Sequence, residues 1–254
     1  MAKKRHVLII GGTKGAGRAA VGAFTKEGCV VSVIARVLPK NSIGKPPRAK
    51  YWEADVCDEA SVKHALADIV KQRGGLSALV FFQRFRGEGD SWEGELATSL
   101  TATRHVIETL VCSFKLKNCA IVLVSSINSA LISPQLSAAY HVAKAGLNQL
   151  VRYYAVALGA RGIRVNCVSP GTFLKPESQA FFLKNKNLVE LYDQMIPLGR
   201  MCRAEEVARP ILFLCGDGAS FITGQNLVVD GGLTLTYQES LVRRLLEDSP
   251  LHRR

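Results

Sequence analysis

A buried strand that runs straight into a glycine-rich turn and then a helix constrains this chain more than any other feature. Val7-Leu8-Ile9-Ile10 is continuously apolar. Gly11-Gly12-Thr13-Lys14-Gly15-Ala16-Gly17 follows without a break, and residues 16–27 carry Ala19, Ala20, Ala23 and Phe24 on one helical face. A short strand apolar on both faces belongs inside a parallel sheet. Glycines at 11, 15 and 17 let backbone approach a pyrophosphate closely. The helix behind them offers free N–H groups and the positive end of its dipole. The pattern predicts a dinucleotide site on Gly11, Thr13, Lys14, Gly15, Ala16 and Gly17.

The rest of the chain repeats the theme. Residues 30–34, 51–54, 79–82, 120–124, 163–168 and 227–229 read as further strands. Helices are expected over 59–73, with Asp58 as N-cap and Gly74-Gly75 as the stop, over most of 92–116, over 137–160 and over 204–214. Residues 37–49 read as a loop, and 176–195 as helical or irregular. Such alternation predicts an α/β fold, a single-domain Rossmann-like doubly wound parallel sheet over 1–254 with helices on both faces. Residues 233–254 extend beyond the last strand, and Leu241, Leu245 and Leu246 suit a short amphipathic helix; a frayed terminus is the alternative.

Composition narrows the class. The 254 residues, 48% hydrophobic, suffice for one large core, and no apolar run reaches the roughly 20 residues of a membrane helix. The apolar run after the basic N-terminus is too short for a signal peptide. Seven scattered cysteines without a CxxC pair predict no metal site and a reducing, cytoplasmic setting. A net charge of +12 favours anionic partners, but the cations are spread out, so neither nucleic acid nor a membrane is expected.

The second strand ends at Ala35-Arg36, where an acidic residue would hold the ribose 2′-hydroxyl of NAD(H). Arg36 and Lys14 instead suit a 2′-phosphate, which predicts NADP(H). Tyr140 and Lys144 are one helical turn apart and share a face. A phenol alone is a weak acid–base group near neutral pH, and a neighbouring ammonium favours its phenolate form.

Together these residues resemble the short-chain dehydrogenase/reductase family of the classical type. The resemblance also takes in Asp55-Val56, Val124-Ser125-Ser126, Ile163-Arg164-Val165-Asn166, Pro170-Gly171, Gly224-Gln225 and Val229-Asp230-Gly231-Gly232. It implies hydride transfer between NADP(H) and a small-molecule carbonyl or alcohol. Tyr140 would be the proton donor, Lys144 would also hold the nicotinamide ribose, and Ser126 would polarise the substrate oxygen. Ser125 and Asn128 remain alternatives to Ser126. Asp55, Val56, Pro170, Gly171 and Phe173 join the cofactor set by the same resemblance. It also implies a homodimer or homotetramer.

Three departures stand out. Phe81-Phe82-Gln83-Arg84 replaces the family's Asn-Asn-Ala-Gly, Ser99 stands at the helix Asn that supports a water relay, and Lys175 falls near a phosphate-binding Thr. They leave room for a second reading, a cofactor-binding sensor or partner subunit with weak catalysis. Arg84 and Arg86 are candidates to bind a carboxylate. Phe173, Leu174, Phe181, Phe182, Leu183, Leu191, Tyr192 and Met195 are expected partly in the core and partly over the substrate.

Overall fold

A computed structural model describes residues 5–38, 49–88 and 91–247. Strand β1 (His6–Ile10) leads into α1 (Gly15–Lys26), followed by β2 (Val30–Ala35), β3 (Ala49–Glu53) and α2 (Glu59–Arg73). Next come β4 (Ala78–Phe81), α3 (Ser91–Glu95), a π-helical segment (Leu96–Thr101), α4 (Ala102–Ser113) and β5 (Ala120–Val124). Helix α5 (Ala138–Leu158) precedes β6 (Arg164–Pro170), β7 (Phe173–Leu174), α6 (Gln179–Lys184) and α7 (Lys186–Met195). The chain continues through β8 (Cys202–Arg203), α8 (Ala204–Leu214), β9 (Asn226–Val229) and α9 (Gln238–Glu247).

Seven strands form one parallel sheet in the order β3-β2-β1-β4-β5-β6-β9. Strand alternation divides its residues between two cores. Val7, Ile9, Val31, Val33, Val80 and Val122 face α1 and α8, meeting Val21, Phe24, Val207 and Ile211. Leu8, Ile10, Leu79, Phe81, Ile121 and Leu123 face the other way, onto Leu66, Ile69, Ile107, Leu110, Leu147 and Val151 of α2, α4 and α5. Both faces are therefore dry, and the strands read as unbroken apolar runs. Chain order reverses between β1 and β4, so a crevice opens at the carboxyl ends of these strands.

Helix α2 has the expected bounds, and Asp58 accepts the N–H groups of Ala60 and Ser61 as its cap. Other boundaries moved. Strand β3 begins at Ala49, where a loop was expected, because it pairs with Val31 at the sheet edge. The helix expected over 92–116 is broken by the π-helical segment. Strands β7 and β8, two residues each, were not expected. The C-terminal helix is present, and Arg244 donates to the Gln194 carbonyl at 3.1 Å, tying α9 to α7. Most of the expected 37–49 loop and the basic ends of the chain lie outside the described residues.

Candidate active site

At the end of β1 the site is made of backbone. Gly11 has φ +82°, and its N–H donates to the Ile34 carbonyl at 2.9 Å, locking the turn to β2. A Cβ on Gly17 would lie 2.4 Å from the Gly11 carbonyl oxygen, so only glycine lets α1 start so close to the strand. No side chain caps α1 at Lys14. The N–H of Gly15 instead donates to Glu177 Oε1 at 3.4 Å, and Arg18 donates to the same oxygen at 3.0 Å. Lys175 lies over Gly15 at 3.6 Å from where a Cβ would be. A carboxylate from the chain itself thus rests where the free N–H groups of a helix start favour an anion. This end fits the pyrophosphate of a nicotinamide dinucleotide.

Arg36 follows β2 directly and is exposed, as is Lys14. The β1–β2 pairing, Ile10 opposite Ile34, brings Arg36 and the glycine turn to the same edge of the crevice. Asp55 lies just past β3 and accepts the Cys57 N–H at 2.9 Å through Oδ1, shaping that turn; Val56 packs on the core beside α2. Pro170 ends β6, and the Gly171 N–H donates to the Val229 carbonyl at 3.0 Å. Phe173 is half-buried against the α1/α8 core.

The ends of β5 and α5 carry the second cluster. Ser125 donates to the Lys144 carbonyl at 2.9 Å, which fastens strand to helix and commits that hydroxyl. Ser126, on the other side, accepts the Asn128 N–H at 3.2 Å and keeps its own proton to donate. Ser137 caps α5 by accepting the Tyr140 N–H. Tyr140 and Lys144 are both buried, and the Lys144 Nζ lies 5.6 Å from the Tyr140 ring centre. That ammonium donates to the Val124 carbonyl at 3.0 Å. Burial pulls the Lys144 pKa down to about 8, with Glu95 and Cys167 opposing the fall and Arg84 adding to it.

The departures acquire a structure. Ser99 sits in the π-helical segment, and its hydroxyl donates to Glu95 Oε2 at 3.3 Å. No hydrogen bond joins it to Tyr140 or Lys144 among the described residues. The expected relay position is therefore turned toward a carboxylate. That carboxylate is only 4% exposed and faces the Arg84 Nε at 3.8 Å, while the Arg84 guanidinium carbon lies 4.6 Å from the Tyr140 ring centre. Gln83 donates to Thr103 at 2.6 Å, leaving its Oε1 buried without a partner among the described residues. Glu95 was missed by sequence reasoning; a Glu in the first turns of a helix ordinarily reads as a solvated face.

Several motif residues are structural. Asn166 holds the Ile222 carbonyl and the Gln225 N–H, and Arg164 holds the carbonyls of Leu214 and Gly216. Asp230 accepts the N–H groups of Gly232 and Thr234. The segment after Gly171 carries a cavity of its own. Phe182 and Leu183 line an open cavity of about 620 Å³ with Leu174, Val189 and Ala204, while none of Ser126, Tyr140 and Lys144 reaches it. Phe181 and Leu191 are exposed.

Fold and site define a dinucleotide-binding α/β protein with a Ser, Tyr and Lys at the carboxyl end of its sheet. The family model described as enoyl-(acyl carrier protein) reductase matches residues 11–234. Glucose 1-dehydrogenase of Gluconobacter oxydans is 30% identical over 91% of this chain and 92% of its own length. The FabG 3-oxoacyl-[acyl-carrier-protein] reductase of Thermotoga maritima is 30% identical over 90% and 97%. Among solved structures, Thermoplasma acidophilum aldohexose dehydrogenase superposes with a TM-score of 0.81 at 25% identity, covering 92% of this chain and 96% of its own. ElxO with NADP bound gives 0.81 at 26%, covering 92% and 100%. The chain belongs to the short-chain dehydrogenase/reductase family of oxidoreductases, whose members bind a nicotinamide cofactor.

Among the described residues no helix is long and apolar enough to cross a membrane, and no group of three or more His, Cys, Asp or Glu could hold a metal ion.

Proposed function

We propose that this chain is an NADPH-dependent oxidoreductase that reduces a small-molecule ketone or aldehyde to an alcohol, or runs the reverse. The observation that carries this reading is the buried Tyr140–Lys144 pair on one face of α5, beside Ser126 at the end of β5. The bound cofactor supplies or accepts the hydride. Ser126 donates a hydrogen bond to the substrate oxygen, and Tyr140 gives that oxygen its proton, or takes it in reverse. Lys144 holds the nicotinamide ribose and favours the phenolate that Tyr140 leaves behind. Burial makes its charge felt in a low dielectric. The glycine turn with Lys14 and Lys175 holds the pyrophosphate.

Arg36 and Lys14 support NADP(H) over NAD(H). So does the NADP seen in ElxO, while the L-rhamnose dehydrogenase of a Sphingomonas strain, 30% identical, is described as using NAD(P)+. All seven cysteines are free, which suits a cytoplasmic setting. A homodimer or homotetramer is supported by exposed Tyr153 and Val156 on α5 and by Leu227 and Val228 on the edge strand β9. The second reading, a sensor with weak catalysis, draws on Lys144 being engaged by Val124 and on Arg84 lying against Tyr140.

The test is a panel of ketones, aldehydes and quinones assayed with NADPH and NADH. NADPH turnover is expected, and Arg36→Asp should weaken NADPH binding far more than NADH binding by setting a carboxylate against the 2′-phosphate. Tight NADPH binding without turnover on any substrate would favour the sensor. Equal losses for both cofactors would remove Arg36 from the site.

A further inference from the structure

Arg84 is held in the cleft by its back. Its Nε faces Glu95 Oε1 at 3.8 Å, and the Tyr140 ring lies under the guanidinium at 4.6 Å. Among the described residues no acceptor lies within hydrogen-bond distance of it, so both Nη atoms are available. Glu95 is buried and takes the Ser99 hydroxyl, which fixes the carboxylate that orients the arginine. Lys144 is also buried near the same phenol ring, 5.6 Å from its centre.

More positive charge gathers on the lip. Arg86, two residues on, is exposed, and the Lys175 pKa is lowered first by burial and then by the charges of Arg86 and Arg84, with Glu177 opposing. Against these cations stand Glu95 and Glu177, and Glu177 is engaged by Arg18 and the Gly15 N–H. Among these named residues, Arg18, Arg84, Arg86 and Lys175 outnumber the two carboxylates.

We propose that the substrate is an oxo acid whose carboxylate is gripped by the paired Nη groups of Arg84. The inference rests on the reading of Tyr140 as proton donor. A planar guanidinium offers two parallel donors to a carboxylate, and with Nε turned to Glu95 and the side chain 40% exposed, the two Nη atoms are the pair left for a ligand. The guanidinium lies 4.6 Å from the centre of the ring that carries the proton donor, so short acids with carboxylate and carbonyl close together, 2-oxo and 3-oxo acids, are the class proposed. The balance is simple: a hydride from the reduced cofactor adds to the carbonyl carbon, a proton from Tyr140 adds to its oxygen, and a hydroxy acid leaves with its carboxylate unchanged.

The experiment compares wild type, Arg84→Gln and Arg84→Lys on 2-oxobutanoate, 3-oxobutanoate and the methyl ester of each, with NADPH affinity measured separately. Wild type should prefer acid over ester, and Arg84→Gln should collapse the acid-to-ester ratio of kcat/KM by about 10–100-fold, the scale of hydrogen bonds to a charged group. Arg84→Lys should restore part of the ratio, since it returns the charge without the fork. NADPH affinity should stay within about threefold. Equal handling of acid and ester by wild type would overturn the proposal, as would a rise in the NADPH Kd matching the loss, which would make Arg84 a cofactor ligand. If wild type turns over no carbonyl at all, the reductase reading fails by itself. The inference is then judged by thermal shift with 2-oxobutanoate and NADPH: a shift in wild type that Arg84→Gln abolishes supports it, and no shift in wild type overturns it.

Discussion

The two ends of the crevice are built from different materials. At the end of β1, positive φ at Gly11 and the Gly17 contact with a carbonyl oxygen shape the chain itself into an anion cradle. At the end of β4 and along the π-helical segment, the site depends on which long side chain turns which way: Arg84 over Tyr140, Glu95 behind Arg84, Ser99 onto Glu95. A backbone site tolerates few residue types and announces itself by them. A side-chain site can exchange its parts, provided that charges and hydrogen bonds are balanced again.

The largest effect is expected at Gly17. Gly17→Ala would force a Cβ to 2.4 Å from the Gly11 oxygen and push α1 off the strand. Overpacking of this kind costs about 1–3 kcal/mol. NADPH binding should fall below detection by titration, while circular dichroism keeps the α/β signature. Unchanged affinity would show that the cradle is not the pyrophosphate site.

Lys144 should show the opposite sign on stability. Its pKa is about 8 when folded, against 10.5 as the ordinary value, so the unfolded chain binds more protons between those pH values. The Lys144 contribution to stability is therefore greatest above 10.5 and is lost as pH falls toward 8. Lys144→Met should remove that slope and raise stability near neutral pH, on the order of 1–3 kcal/mol before the loss of its bond to the Val124 carbonyl. Turnover should collapse in the same variant. Denaturant midpoints across pH 7–10 that keep their slope would place the buried charge elsewhere.

A smaller effect is expected at Glu177. Its carboxylate competes for the Gly15 N–H that a pyrophosphate would use. Glu177→Gln removes the competing charge and should tighten NADPH binding by about two- to fivefold, a fraction of a kcal/mol to one. Weaker binding would mean that Glu177 orders the segment instead of blocking it.

Sequence legibility follows the same division. The glycine turn, the Asp58 cap and the both-sided strands are read directly, since each depends on local residue type. Strands β7 and β8 carry two residues each, too few for any period to register. The π-helical segment adds a local widening that leaves the apolar spacing nearly intact. Arg84 was legible as a candidate, but its direction is set by Glu95, whose burial comes from packing of α3 against α5, a contact between residues far apart in sequence. Strand alternation sets Ser125 and Ser126 on opposite sides of the chain, and the Ser125 hydroxyl is taken up by the Lys144 carbonyl.

Tyr140 is proposed to do the acid–base chemistry at the side-chain end of the crevice. Tyr140→Phe removes only a hydroxyl, so the ring under Arg84 and the fold should persist. With a carbonyl substrate that wild type reduces, single-turnover oxidation of bound NADPH should slow by about 10²–10⁴-fold, the usual contribution of a positioned acid, with NADPH affinity retained. An unaltered rate in Tyr140→Phe would contradict the account, because the proton would then come from another group.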